Sequence, residues 1–228
     1  YILMNKILSN YHEILKKIRF CERKLDGKYC EPKLIAVSKQ FSKETIQILV
    51  NKGHKIFGEN KVQEAQSKWI DLKKENPEKN IELHLIGPLQ SNKANQALEI
   101  FDVIQTVDRE KIALKLNKYL EEKTDMKKKN FFIQVNIGDE KQKSGIEENL
   151  AQQFFRWCSN DLKLNIIGLM CIPPFGEPPE PFFKRLRNLC DQLNLKHASM
   201  GMSNDFESAI EYGATFVRVG TGIFGERN

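Results

Sequence analysis

The chain has 228 residues, of which 40% are hydrophobic and 29% are charged, and its formal net charge is +6. This composition is ordinary for one globular domain, and the mild basic excess is too dispersed among acidic residues to predict nucleic-acid binding. No apolar run approaches the roughly 20 residues of a membrane span, and none has the pattern of a signal peptide. We expect one domain over residues 1–228 with no nucleic-acid or membrane partner, in which residues 1–3 form a tail, native or added, before Met4.

The predicted elements alternate between helix and strand along the chain. The first is an amphipathic helix at residues 5–25, which either closes the bottom of the fold or packs on its side. Short apolar runs then alternate with longer segments of helical spacing, such as residues 108–123, where Ile112, Leu116 and Leu120 recur every four residues. The strand candidates are KLIAVS, KIFG, ELHLIG, DVIQTV, NFFIQVNI, NIIGLMCI, KHASM and TFVRVG.

Eight strands that alternate with helices predict parallel pairing and a single (β/α)8 barrel of the TIM type, with the first helix as an addition. An open doubly wound sheet is the rival, but no GxGxxG motif follows the first strand. The proline-rich stretch at residues 172–183 predicts a loop within the same domain, because proline removes helical and ladder hydrogen bonds.

The cysteines and histidines suggest neither a disulfide framework nor a metal site. There are five cysteines, an odd number, and no two of them have CxxC spacing. The four histidines are scattered, without HxH or HExxH spacing. We therefore expect reduced thiols, a cytoplasmic location and no bound metal.

In a barrel of this kind the active site lies at the carboxyl ends of the strands, and unusual residues concentrate there. Lys39 follows the first strand and Asn60 the second. The loops after the seventh and eighth strands contain glycines and hydroxyl residues, and a helix predicted to begin near Asn204 adds its amino-terminal partial charge. These loop residues are Gly201, Ser203, Gly220, Thr221 and Gly222. Together they predict a phosphate site, because these two loops frequently bind phosphate in such barrels.

A lysine held in a partly dry barrel mouth loses some preference for its charged form and becomes a nucleophile toward an aldehyde or ketone. The alternative for Lys39 alone is a solvated surface lysine. Phosphate beside a reactive lysine fits either a pyridoxal 5′-phosphate site or an aldolase acting on a sugar phosphate. Arg218, two residues before Gly220, points into the same interior layer and favours the first. As a permanent cation facing a pyridine nitrogen, it disfavours protonation of that nitrogen.

The blocks IAVSK, FGENKVQE, LHLIGPLQSNK, SGI, IIGLMCIP, SMGMSNDFESAI and VRVGTGIFGER resemble, in this order, the pyridoxal phosphate homeostasis protein family, also called the YggS or proline-synthase-co-transcribed family. The resemblance runs from about residue 32 to residue 227 and implies a barrel similar to the amino-terminal domain of alanine racemase. It implies that Lys39 is the cofactor lysine, that Arg218 faces the pyridine nitrogen and that Asn60 lies near the ring. It implies phosphate contacts at Ser203, Gly220 and Thr221. Gly222 departs from the family, which usually has alanine there.

Racemase chemistry needs a base on each face of the cofactor, and in racemases the second base is a tyrosine supported by a separate carboxyl-terminal domain. None of the five tyrosines falls at a predicted strand end, and we expect that domain to be absent because the sequence ends at Asn228. We therefore expect a non-catalytic monomer that holds pyridoxal 5′-phosphate as a lysine aldimine for vitamin B6 homeostasis, with cofactor-free pyridoxal phosphate enzymes as recipients. The alternative is a weak amino-acid racemase that depends on the same cofactor.

Overall fold

The computed structural model describes residues 2–123, 126, 128–140 and 142–226. Its strands are β1 (Lys33–Val37), β2 (Ile56–Glu59), β3 (Glu82–Leu85), β4 (Val103–Val107), β5 (Asn130–Asn136), β6 (Ile146–Glu147), β7 (Ile166–Met170), β8 (His197–Met202) and β9 (Phe216–Val219). Its helices are α1 (Ile2–Arg23), α2 (Lys43–Asn51), α3 (Val62–Glu75), α4 (Ala94–Ile100), α5 (Glu110–Glu122), α6 (Ala151–Arg156), α7 (Glu180–Gln192), α8 (Phe206–Glu211) and α9 (Thr221–Phe224).

Eight of the strands form a closed parallel barrel. Each pairs in parallel with its neighbours in the order β1, β2, β3, β4, β5, β7, β8 and β9. The barrel closes where β9 pairs with β1, with Ile35 opposite Arg218 and Ala36 opposite Val219. The predicted (β/α)8 barrel and its eight strands, in their predicted order, are confirmed.

The ninth strand, β6, was not predicted. It pairs in parallel with the end of β5, where Ile146 lies opposite Val135. The preceding Gly145 has φ +130° and packs so closely that a Cβ there would lie 2.5 Å from the backbone N of Asn136. A strand of two residues is too short to show a period in the sequence.

The loop predicted at residues 172–183 ends earlier in the structure than predicted. Residues 180–183 form the first turn of α7. Pro181 is compatible with this position, because the first N–H groups of a helix have no intrahelical acceptor and proline lacks only such a group. Phe182 and Phe183 are buried, and this burial favours the helical turn.

The first helix packs on the side of the barrel and not across its bottom. It begins at Ile2, so two residues of the predicted tail, Ile2 and Leu3, continue the helix, and the third, Tyr1, lies outside the described residues. Its buried face contacts α2, α8 and α9. Because α9 has only four residues, α1 takes the place in the outer layer that a full helix after β9 would otherwise fill.

The barrel interior contains an apolar cluster and a row of polar side chains. Its apolar part is a cluster of Ile35, Val103, Phe132, Met170 and Phe216. The larger core lies between the strands and the surrounding helices. Within the part of the chain that the structure describes, no helix has both the length and the apolar character needed to cross a membrane.

Candidate functional site

A cleft of about 1000 Å³ opens at the carboxyl ends of the barrel strands. All six predicted site residues line it, and they come from the ends of β1, β2, β8 and β9. They are Lys39, Asn60, Ser203, Arg218, Gly220 and Thr221. The structure thus brings together residues from both ends of the sequence, because the pairing of β9 with β1 closes the barrel.

The loops after β8 and β9 contact one another through their hydroxyl groups. The Thr221 hydroxyl donates to Ser203 Oγ over 3.2 Å, and the backbone N of Gly222 donates to the same oxygen over 3.4 Å. The backbone at Gly220 passes close to Val37, since a Cβ on Gly220 would lie 3.3 Å from Cβ of Val37. The two loops therefore place hydroxyl and backbone N–H groups at one corner of the cleft, as an anion requires.

The helix predicted near Asn204 begins later, at Phe206, and has six residues. The reason is that Asp205 precedes it and its carboxylate accepts a hydrogen bond from the backbone N of Met202 over 2.5 Å. The intervening residues therefore form a turn that ends β8 before the helix begins.

Lys39 is half-buried, and the segment behind it is held by a buried lysine on α3. Lys68 Nζ donates to the carbonyl oxygens of Ser38 over 3.1 Å and Phe41 over 3.3 Å. It also forms ion pairs with Glu59 at 2.9 Å and Glu64 at 2.8 Å. Lys68 therefore holds the backbone on both sides of Lys39 and fixes the point at which the Lys39 side chain leaves it.

The residue after Lys39 adopts an unusual backbone conformation. Gln40 has φ +65°, in the left-handed region that residues other than glycine rarely occupy. Its backbone N donates to the carboxylate of Glu64. Burial alone would raise the pKa of Glu64, but hydrogen bonds from Lys68 and Gln40 hold this pKa below its ordinary value. An ionised Glu64 therefore stabilises the turn that carries Lys39.

Arg218 lies at the base of the cleft, with 4% of its surface exposed. Its Nη1 donates to Ser199 Oγ over 2.7 Å, and its Nη2 donates to the carbonyl oxygen of Cys171 over 2.8 Å. Burial lowers the pKa of Arg218 from its ordinary value. Since arginine is not deprotonated in proteins, the guanidinium provides a fixed positive charge below the cleft.

The outer wall of the cleft contains residues that the sequence did not single out. Lys143 donates to the carbonyl oxygen of Pro173 over 3.3 Å and pairs with Glu140 at 2.5 Å. Phe175, on the loop after β7, is fully exposed beside the cleft. The SGI block was the only sequence signal near Lys143. Glu64 ends the FGENKVQE block, whereas Lys68 was detectable only through its helical spacing from Glu64.

Several other polar residues lie outside the cleft in structural positions. His84 is fully buried and hydrogen-bonded within the barrel. The tyrosines within the described ranges, at positions 11, 29, 119 and 212, do not line the cleft. The same ranges contain no group of three or more histidine, cysteine or acidic residues placed to hold a metal ion.

The cleft combines three chemical functions. It offers a primary amine from Lys39, anion donors from Ser203, Thr221 and nearby backbone groups, and a buried cation at Arg218. This donor set fits a ligand with a carbonyl carbon, a phosphate and a weakly basic ring nitrogen. The residues present are therefore chemically suited to pyridoxal 5′-phosphate.

Comparisons of the sequence identify related proteins along nearly the whole chain. The family model described as alanine racemase, N-terminal domain, matches residues 10–228. The chain is 39% identical over 224 residues to the pyridoxal phosphate homeostasis protein of Aquifex aeolicus, covering 94% of this chain and 95% of that protein. It is 39% identical over 234 residues to the protein of the same name from Vibrio cholerae, with 99% and 98% covered.

Comparisons of the structure agree. PipY of Synechococcus elongatus, solved with PLP bound, matches with a TM-score of 0.78 and 32% identity, covering 91% of this chain and 100% of that chain. The alanine racemase of Bartonella henselae matches with a TM-score of 0.73 and 15% identity, covering 98% of this chain and 61% of that chain. At this identity the second match concerns the fold alone.

Proposed function

The chain belongs to the pyridoxal phosphate homeostasis protein family, within the alanine racemase N-terminal domain family, and from this membership we propose that it binds pyridoxal 5′-phosphate and serves vitamin B6 homeostasis. The observation that carries the proposal is the meeting of Lys39, Ser203, Thr221 and Arg218 in one cleft. The relative PipY, which has been solved with PLP bound, supports the same cofactor.

Each of the six residues has a role in this proposal. Ser203, Gly220 and Thr221 hold the phosphate, and Asn60 lies against the ring. Arg218 faces the ring nitrogen and, as a fixed cation, disfavours its protonation. Bound pyridoxal phosphate supplies an aldehyde carbon that takes up an amine reversibly, and Lys39 supplies that amine.

We further propose that the protein carries the cofactor without turning over amino acids. Two features support this. The tyrosines among the described residues lie away from the cleft that Lys39 lines, so none of these four is placed as a second base. In addition, a cation at the ring nitrogen weakens the cofactor as an electron sink. The recipients we propose are pyridoxal phosphate enzymes in their cofactor-free form.

We propose a monomer, because all six site residues come from one chain. A cytoplasmic location is supported by the cysteines, all five of which have free thiols in the structure. The domain boundaries that we propose remain residues 1–228.

The test is an absorption spectrum of the purified protein with pyridoxal phosphate, followed by borohydride reduction and mass spectrometry. The wild type should develop a visible band and retain the mass of the cofactor after reduction. Lys39→Ala should lose both, because the amine is gone. Lys93→Ala is the matched control, since Lys93 is half-buried but does not line the cleft. A borohydride-fixed mass that survives in Lys39→Ala would contradict the proposal.

A further inference from the structure

A line of hydrogen-bonded side chains crosses the interior of the barrel from the cleft to its opposite end. Arg218 Nη1 bonds to Ser199 Oγ over 2.7 Å, and Ser199 Oγ bonds to Gln105 Oε1 over 2.6 Å. Gln105 Nε2 bonds to His84 Nδ1 over 2.9 Å, and His84 Nε2 bonds to Glu82 Oε1 over 2.7 Å. These five residues, from β3, β4, β8 and β9, are called the barrel relay below.

The barrel relay is enclosed except at its end. Ser199, Gln105 and His84 have no exposed surface, and Arg218 has 4%. The Glu82 side chain, at the start of β3, is 40% exposed. The relay therefore joins the base of the cofactor cleft to solvent at the amino end of the barrel.

The donor and acceptor roles in the relay run in one direction. The guanidinium can only donate, so Ser199 Oγ accepts from Arg218 and directs its own proton to the Gln105 carbonyl oxygen. The Gln105 amide then donates to Nδ1 of His84. His84 is therefore neutral, with its proton on Nε2, where it donates to Glu82. This hydrogen bond lowers the pKa of Glu82 and favours the carboxylate that completes the series.

The relay accounts for how the barrel accommodates the Arg218 charge. Among the residues that the structure describes, no carboxylate lies within ion-pair distance of Arg218, and its two hydrogen-bond partners are neutral. The Asp205 carboxylate, which also lines the cleft, acts on Arg218 only at longer range. A buried charge without a direct ionic partner is costly. Aligned hydrogen bonds polarise one another in a medium of low dielectric constant, so the relay presents the negative end of each dipole toward the guanidinium.

We propose that the barrel relay is a positioning device: it holds the Arg218 guanidinium in the orientation that faces the cofactor ring nitrogen, and Gln105 is its central link. The part that concerns the ring nitrogen rests on the proposed function. Ser199, Gln105, His84 and Glu82 touch no cofactor and act only through Arg218.

The relay itself is tested on the protein without cofactor. Nitrogen NMR of the wild type should show a neutral His84 ring with its proton on Nε2, protected from exchange. Gln105→Leu should shift the Nδ1 signal of His84, because that nitrogen loses its donor. A His84 ring protonated on both nitrogens, or on Nδ1 alone, would overturn the assigned direction.

The effect on the cofactor end is tested with Gln105→Leu loaded with pyridoxal phosphate. The dissociation constant should rise about tenfold, equivalent to ~1.4 kcal/mol, and the visible band should shift, because Arg218 loses its fixed orientation. Gln134→Leu is the matched control: Gln134 is also a buried barrel glutamine, but it donates to the carbonyl oxygen of Ser144 and lies outside the relay.

The outcomes separate the relay from the proposed function. If Gln105→Leu and Gln134→Leu change the band and the dissociation constant equally, the positioning role is wrong. If the wild type develops no band with pyridoxal phosphate, the proposed function fails, while NMR of the cofactor-free protein still decides the relay. Should Gln105→Leu not fold, Glu82→Gln provides the same NMR readout from a partly exposed position. There, an unchanged His84 Nε2 signal would overturn the relay.

Discussion

At the residue scale, Gly201 and Gly53 have nearly the same backbone torsion in different surroundings. Their φ values are +87° and +88°. A Cβ on Gly201 would lie 2.5 Å from Cβ of Ala209, whereas a Cβ on Gly53 would meet nothing within 4 Å. Gly201 precedes the Ser203 loop, so glycine allows β8 to turn tightly over α8 on its way to the proposed phosphate site. Comparison of the two positions therefore separates the cost of a strained backbone torsion from the cost of side-chain crowding.

We expect alanine substitutions to have unequal costs at these positions. Gly53→Ala should lower the free energy of unfolding by about 1 kcal/mol, from the strained torsion alone. Gly201→Ala should cost roughly 2 kcal/mol more, since the Ala209 side chain and the α8 backbone must also shift. Urea denaturation of the two variants measures the difference. Equal costs would show that the close approach at Gly201 is not rigid.

At the scale of elements, α1 is attached to the barrel through a buried histidine. The Tyr11 hydroxyl lies 3.1 Å from Nδ1 of His54, and Nε2 of His54 donates to the carbonyl oxygen of Ile56 over 2.8 Å. Burial lowers the pKa of His54 to about 4 from an ordinary 6.5. The folded protein therefore keeps this ring neutral, with Nδ1 available to accept from Tyr11.

This contact predicts a pH dependence of stability. Between pH 6.5 and pH 4 the unfolded chain binds a proton at His54 that the folded protein does not bind. The contribution of neutral His54 to the free energy of unfolding is fully present above pH 6.5. It is lost as the pH falls toward 4, by an amount on the order of 3 kcal/mol. His54→Gln should flatten the fall in unfolding free energy across this range. His12→Gln, at an exposed position of α1, should leave it unchanged. Identical pH profiles for the wild type and His54→Gln would refute this account.

At the scale of the whole molecule, barrel closure decides which residues share the cleft. The register that places Ile35 opposite Arg218 brings the end of β1 beside the end of β9. Lys39 thereby lies in the same cleft as the loops after β8 and β9, while the described tyrosines pack elsewhere. Among the residues that the structure describes, no tyrosine lines the cleft that contains the Lys39 amine.

We therefore expect no amino-acid turnover. With pyridoxal phosphate and alanine in deuterated water, the wild type should exchange the α-proton no faster than Lys39→Ala does, because the Arg218 cation proposed to face the ring nitrogen weakens the cofactor as an electron sink. Proton NMR of the alanine measures the exchange. Exchange by the wild type that disappears in Lys39→Ala would indicate a racemase, the alternative that the sequence left open.

Local patterns in the sequence were sufficient for the fold class and, together with the family resemblance, for six of the residues that line the cleft. The alternation of apolar runs with amphipathic segments predicted all eight barrel strands, because burial on both faces and helical periodicity leave their marks on consecutive residues. The glycines and hydroxyl residues of the last two loops marked one corner of the cleft in the same way. The resemblance to a known family then assigned roles to Lys39 and Arg218.

Only the tertiary structure decided which side chains support the site. Nothing local links Gln105 to Ser199, or Lys68 to the carbonyl oxygens beside Lys39, since these contacts join elements far apart in the sequence. The position of α1 on the side of the barrel likewise depends on the shortness of α9. The secondary structure of most residues follows from their neighbours in the sequence, whereas hydrogen-bond partners across a barrel depend on strand register and closure.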